Sequence, residues 1–331
     1  QEPTAEPTAA PEQSEPVTMR VGATYIWDTL NPNTAWYGYA IRELIYDTAI
    51  RTEELATFAP GLAKDWTVSD DGKVWTFNLR EGQTFHDGTP VDAEAAAWSI
   101  NWMKETGVDS LSYLFTYFEK AEALDPTTLQ ITLEQPVGNM EYIMWAAWLI
   151  PESVWGGMTY DDVQEYNGSD ASVGAGLYKV VEWVEGEDLI LEANKDYWAG
   201  GPAIDRIIYQ EYGNEDAMVQ ALLAGEIDAI NSVPATAVQT LEDAEDVHVA
   251  IMGGTGYNEL SFNTHPEGTQ PESLMDPQVR LAIEYAIDRQ RIVDVAYLGY
   301  AEPAGVVIAP NMADWHNSDV EVVPFDLDEA N

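Results

Sequence analysis

Four histidines, at 86, 248, 265 and 316, are the side chains best suited to hold a metal or move a proton near neutral pH, and they stand singly, without metal-ligand spacing. His86-Asp87-Gly88 reads as a turn rather than a ligand pair. The chain has no cysteine, which removes disulfides, thiol catalysis and Cys-based zinc sites together. It contains no Gly-x-Ser-x-Gly elbow, and the run Gly253-Gly254-Thr255-Gly256 lacks the Lys-Ser/Thr that a phosphate loop requires. Asn167-Gly168-Ser169 is formally a glycosylation sequon. What the chain has in quantity is 58 Asp and Glu, 12 Trp and 17 Tyr. Carboxylates beside aromatic platforms are what a glycosidase needs; aromatic walls with a few placed polar groups also make a binding cleft. Composition leaves both readings open.

The charge balance narrows the partners. A net charge of −44 repels nucleic acid and anionic membrane surfaces, so no nucleic-acid partner is expected. Three accounts of the acidity compete: a solvated surface suited to salt or solubility, a field that concentrates cations, and acidic catalytic clusters. Because the carboxylates are spread along the whole chain, the surface account is favoured and cation steering stands second. At 331 residues the chain exceeds the usual single core and predicts two or more lobes. No run approaches the roughly 20 apolar residues of a membrane span. The absence of cysteine says little about compartment.

The elements that must position any site are readable in order. Residues 1–16 contain only Gln, Glu, Pro, Thr, Ala and Ser and predict a disordered tether; without a basic and an apolar leader segment, any signal peptide is expected to be already gone. TMRVGATYIW (18–27) reads as a strand, Asn31-Pro32-Asn33 as a turn, and a helix carries Ile41, Leu44, Ile45 and Thr48. Trp66 and Val68, the Asp71-Gly72 turn, and Trp75, Phe77 and Leu79 alternating with Val74, Thr76 and Asn78 predict a β-hairpin. Asp92 is placed to cap the helix AEAAAWSINWM, with Glu94 in its first turn. LQITLEQP (129–136) is a strand, EYIMWAAWLIP (141–151) must be buried or line a cleft, and 156–176 reads as a long loop. Tyr178–Val181, Leu189–Leu191 and IDRIIYQEY predict three strands. Asn214 then caps a helix with an apolar face of Met218, Val219, Leu222 and Leu223, Gly225 stops it, and Ile227–Ile230 returns to strand. That order predicts a mixed sheet with helical cover. Asp276-Pro277 opens a further helix whose Val279, Ala282, Ile283 and Ala286 share a face.

Three blocks carry more than element patterns: PGLAKDWTVSDDGKVWTFNLREGQTFHDGTPVDAEAAAWSINWM (60–103), the stretch 174–230 beginning GAGLYKVVEW, and LSFNTHPEGTQPESLMDPQVRLAIEYAIDRQRIVDVAYLGY within 260–310. In wording and order they resemble the family 5 extracellular solute-binding proteins, the dipeptide, oligopeptide and nickel receptors of bacterial ABC importers. The resemblance implies an α/β, type II periplasmic-binding-protein-like fold of two lobes with an extra subdomain inserted in lobe one. Carried onto this sequence, 17–40 and 169–258 are the lobe-one core, 41–168 the inserted subdomain and 259–331 the start of lobe two. Two departures stand out. Gly174-Ala175-Gly176-Leu177-Tyr178 replaces the family's Gly-Thr-Gly-Pro-Tyr, with Gly176 keeping the permissive position. The final DLDEAN resembles the start of the family's next helix, so a C-terminally truncated product is expected.

The implied function is capture of a small solute, most commonly a peptide, by closure of two lobes, and delivery to a membrane permease, with no catalysis and no cofactor. The receptor would be an extracytoplasmic monomer, in the periplasm or at the outer face of the cytoplasmic membrane, anchored by lipid through a removed N-terminal cysteine. Oligosaccharide is the main alternative ligand, with chelated nickel or haem behind, and a secreted carbohydrate-active enzyme is the competing class. The family places contacts in the loop after the first strand, here Trp27, Asn31, Trp36 and Tyr37. GGTGYNELSFN (253–263) resembles the strand crossing between lobes, which puts Tyr257 and Asn258 near the hinge. Tyr113, Tyr117, Trp145 and Trp148 come from the inserted subdomain that supplies side-chain pockets, the last two sharing a face if they are helical. For every one of these aromatics simple core packing is the competing account.

Overall fold

The computed structural model describes residues 16–35, 39–54, 57–107, 112–254, 256–265 and 267–331. The predicted tether 1–16 therefore lies, Pro16 apart, outside the described residues. Along the chain, strand β1 (Thr18–Ala23) leads to helix α1 (Tyr39–Ile45) and to β2 (Ile50–Glu54) and β3 (Thr57–Pro60), which pair as a two-stranded sheet. Strands β4 (Ala63–Val68) and β5 (Val74–Leu79) precede helix α2 (Ala93–Thr106), followed by β6 (Phe118–Asp125), β7 (Thr128–Leu133) and α3 (Met140–Ala146). Two short helices, α4 (Glu152–Trp155) and α5 (Tyr160–Glu165), lead to β8 (Tyr178–Trp183), β9 (Asp188–Ala193), β10 (Arg206–Glu211), α6 (Glu215–Leu223) and β11 (Ala229–Ile230). Helices α7 (Val238–Glu242), α8 (Pro277–Tyr285) and α9 (Arg289–Ala296) follow. No helix among the described residues is long and apolar enough to cross a membrane.

The chain forms two compact units, Gln1–Arg51 with Phe58–Ser232, and Thr52–Thr57 with Val233–Asn331. In the first, a five-stranded mixed sheet runs β11-β1-β10-β9-β8. β1 lies parallel to β10, with Val21 opposite Tyr209, and parallel to β11. α6 crosses over between β10 and β11; the Asn214 side chain caps it by accepting from the Ala217 N–H at 2.8 Å. Its Met218 and Val219 are buried, while Leu223, which the face pattern placed with them, is exposed. The second sheet of this unit, β4-β5-β7-β6, is antiparallel. Trp75, Phe77 and Leu79 enter the core from one face of β5, as the alternation required. Asp92 caps α2 by accepting from Glu94 N and Ala95 N at 3.1 and 2.9 Å. On the edge strand β6, Ala121 exchanges two hydrogen bonds with the amide of Asn101 on α2, at 2.7 and 2.9 Å.

Several local expectations shift. α1 ends at Ile45 rather than reaching Thr48: the Asp47 carboxylate accepts from Thr48 N at 2.8 Å, a local bond that competes with the next helical turn. The loop predicted over 156–176 contains α5, nucleated by a reciprocal capping box between Thr159 and Asp162, and a 3-10 turn, Ser169–Ser172. β1 stops at Ala23, and β11 spans two residues rather than four. Gly174 and Gly176 are required by close approach, not by φ: a Cβ on either would meet the backbone of Ile45 at 2.2 and 2.6 Å.

Candidate functional site

The loop leaving β1 is fastened by two asparagines acting reciprocally. Asn31 is fully buried, and its Nδ2 donates to the carbonyls of Val163 and Tyr166 at 2.7 and 3.0 Å while its Oδ1 accepts from Asn33 N at 2.9 Å. From the other side, Asn167 Oδ1 accepts from Thr29 Oγ1 and Leu30 N at 2.8 and 2.9 Å. The Asn31 amide is thereby committed to holding the loop, and Trp27 beside it is buried. Trp36 and Tyr37 lie outside the described residues.

A second aromatic block surrounds Arg42, which is buried on α1. Its guanidinium lies 4.7 Å from the centre of the Trp148 ring and its Nη1 donates to Pro32 O at 3.2 Å. Tyr46 stands 6.2 Å from Trp148, and its hydroxyl donates to Ala171 O at 2.8 Å in an environment whose burial drives its pKa upward. Trp148 is buried in the core, whereas Trp145 is half-buried and packs on Tyr142 at 5.4 Å. The two do not share a helical face: α3 ends at Ala146, and Ala147, with φ −89° and ψ 86°, turns the chain before Trp148. Tyr113 and Tyr117 are open to solvent, Tyr113 at 61%.

The sequence reading missed a charged cluster in the same unit. Asp47, nearly buried, accepts from Trp198 Nε1 at 2.7 Å and also hydrogen-bonds Tyr197. The Trp198 ring carries the guanidinium of Arg80 at 3.9 Å and that of Arg51 at 5.1 Å. Burial raises the pKa of Asp47 more strongly than the Trp198 bond, the Thr48 N–H and the Arg51 charge lower it. Arg80 also borders an open groove of about 500 Å³, with Glu81, Gln83, Asp92 and Thr127 among its walls. Two of its charged side chains have other tasks: Asp92 caps α2, and Arg80 stacks on Trp198 and donates to Gly61 O at 2.9 Å.

His86 is a clamp. Its Nδ1 accepts from Gly174 N at 3.3 Å, which fixes the tautomer, and its Nε2–H donates to Gly176 O at 3.1 Å. The ring must be neutral to accept, and burial brings its pKa down to about 4. The turn around His86 is thereby pinned to the Gly174–Gly176 segment, and Gly176 N donates to Ile45 O at 2.8 Å. Among the described residues no group of His, Asp and Glu is arranged to hold a metal.

In the second unit, Tyr257 is 54% exposed and Asn258 Nδ2 donates to the Tyr297 hydroxyl at 2.6 Å. The strand expected over 253–263 is not formed by the described residues there, which are coil with no strand partner, exposed apart from the half-buried Phe262. Asn311 Nδ2 donates instead to the carbonyls of Gly253 and Gly254 at 2.6 and 3.3 Å.

Comparison with known proteins decides the family. The model of the bacterial extracellular solute-binding proteins, family 5, matches residues 57–331. The chain belongs to this family. Among curated relatives, the glutathione-binding protein GsiB of Escherichia coli strain K12 is 28% identical over 307 residues, covering 90% of this chain and 57% of GsiB. Among solved structures, NikZ of Campylobacter jejuni in complex with Ni(L-His) aligns with a TM-score of 0.83 at 24% identity, covering 95% of this chain and 61% of NikZ. The oligopeptide-binding protein AppA of Bacillus subtilis, in complex with a nonapeptide, aligns at 0.80 and 22% identity, covering 96% and 63%. The chain thus spans about three-fifths of the length of the relatives it matches. For this family 5 protein the long-range anchors, Asn31 to Val163 and Tyr166, Asn167 to Thr29 and Leu30, and Trp198 to Asp47, lay outside any sequence pattern. The only signal for Asn31 and Asn167 is residue type, a short amide beside a turn. For Trp198 it is an aromatic pair, Tyr197-Trp198, following a strand that ends at Ala193.

Proposed function

We propose that this protein is the extracytoplasmic substrate-binding receptor of an ABC importer, capturing a small peptide between two lobes and delivering it to a membrane permease. The observation that carries this reading is the family 5 match across 57–331, and the name of GsiB, a glutathione-binding protein, supports a short peptide as the ligand. Lobe one is 17–40 with 169–258, carrying the insertion 41–168, and 259–331 begins lobe two. A lipid anchor ahead of residues 1–16 holds the receptor, a monomer, at the outer face of the membrane.

The burial pattern supports a division of labour among the proposed ligand residues. Trp27, Asn31 and Trp148 form the rigid backing, since their side chains are already packed, and Asn31's amide is fully hydrogen-bonded. Tyr113, Tyr117, Trp145 and Tyr257 retain exposed ring surface with which to meet a ligand, Asn258 contributes an amide, and Trp36 and Tyr37, outside the described residues, complete the proposed set. Isothermal titration with glutathione and a panel of di- to pentapeptides, followed by mass spectrometry of the recovered ligand, tests the reading. Saturable binding of unchanged peptide is expected; turnover of peptides or oligosaccharides would replace the receptor by an enzyme.

A further inference from the structure

The sequence contains a single Asn-Gly pair, Asn167-Gly168, on the exposed segment between α5 and the Ser169–Ser172 turn. Asn167 Oδ1 accepts hydrogen bonds from Thr29 Oγ1 at 2.8 Å and Leu30 N at 2.9 Å. Two donors on one amide oxygen withdraw electron density from Cγ and stabilise the negative charge that grows on that oxygen when a nucleophile adds. The nucleophile is next in the chain. Gly168 N–H makes no hydrogen bond to a described residue, and neither does Asn167 Nδ2, the leaving group. Gly168 is extended, with φ −67° and ψ 156°, and carries no Cβ to block its own nitrogen.

We infer that Asn167 is a site of spontaneous deamidation in the folded protein, with the Thr29 hydroxyl and the Leu30 N–H serving as its oxyanion site. Base removes the Gly168 N–H proton, the nitrogen bonds to Asn167 Cγ, and the Cγ–Nδ2 bond breaks as the amide group takes up a proton and leaves as ammonia. Water then opens the cyclic imide at either carbonyl to give aspartate or isoaspartate. One water is consumed, one ammonia is released, and no electrons are exchanged. The position gives the change a mechanical consequence. Tyr166 O is held by Asn31 Nδ2 and Asn167 Oδ1 holds Thr29 and Leu30, so the extra backbone methylene of isoaspartate falls inside the clamp that fastens the Trp27–Asn31 loop.

The test is an incubation of the purified protein at mildly alkaline pH, with peptide mapping for a gain of about one dalton at Asn167 and enzymatic methylation to count isoaspartate. Asn231-Ser232 and Asn317-Ser318 serve as internal references. Deamidation of native Asn167 is expected at least as fast as in the guanidinium-unfolded chain. Thr29→Val should slow it about fivefold, the worth of one neutral hydrogen bond, and Thr29→Ser should restore it. If native Asn167 stays intact while the unfolded chain deamidates, the two hydrogen bonds hold Cγ away from Gly168 and the inference is overturned. Equal rates in folded wild type and a folded Thr29→Val variant overturn the oxyanion role.

Discussion

The two units of the chain use their apolar residues differently. In the first, Phe77, Phe115, Phe118, Ile100, Leu129, Ile131 and Trp155 are fully enclosed in a core that spans both sheets. Between Val233 and Asn331, Val238, Leu241 and Val293 are the buried apolar side chains among the described residues, while Met252 is 84% and Val295 70% exposed. The helices of both units follow similar local rules: Asp92 caps α2 and Asp276 caps α8, the latter with Pro277 in its first turn. Local sequence therefore writes a helix and its apolar face in either region. Whether that face becomes a core depends on what is packed against it, and the burial of the first unit is the larger source of stability.

Substitutions offer the sharpest way to break this comparison. Phe77→Ala should cost about 3–5 kcal/mol in urea denaturation, because it opens a cavity in a closed core. A cost near that of a surface change would mean the first unit is not the well-packed one. The next effect comes from pH. His86 is neutral in the fold, with its pKa near 4, against 6.5 for the free side chain. Below pH 6.5 the unfolded chain takes up a proton that the folded chain refuses, so stability falls as pH drops toward 4 and this contribution then levels off. The full loss is on the order of 3 kcal/mol. Midpoints measured across that window for wild type and His86→Gln should converge at low pH; parallel curves would mean that the histidine is not held neutral.

Caps supply the intermediate case. Asp92→Ala should cost about 1 kcal/mol of first-unit stability. Asp276→Ala should instead show as faster amide exchange confined to α8, because few buried contacts couple that helix to a cooperative core. A global loss from Asp276→Ala equal to that from Asp92→Ala would erase the distinction between the units. The smallest effect is expected for Val295→Ser, within about 0.5 kcal/mol, since the side chain already faces water.

What could be read from the sequence follows the same line between local and distant. The β4–β5 hairpin, the Asp92 and Asn214 caps and the β8, β9, β10, α6 succession were legible because each is encoded within a few neighbouring residues. The family was legible because three such blocks occur in order. The asparagine clamps join residues 132 to 138 positions apart, and the Trp198–Asp47 bond closes 151. No periodicity reports such pairings. The end of α1 was misplaced because Thr48 continues the apolar spacing, while the Asp47 side chain, one residue earlier, stops the helix. α5 was hidden by the polar composition that its own capping box requires. The strand assigned to 253–263 came from resemblance alone, and no local signal arbitrates where a strand's partner is distant.

The bond pair between Asn101 and Ala121 reaches beyond the packing of α2. β6 is the outer strand of its sheet, and an outer strand offers unpaired N–H and C=O groups on which a second molecule could align its own strand. The Asn101 amide occupies that docking position at Ala121, and the neighbouring Lys120–Glu122 ion pair places charge along the same rim. Helix α2 thus stoppers the sheet at its β6 edge through Asn101, leaving fewer N–H and C=O groups there on which a further strand could align.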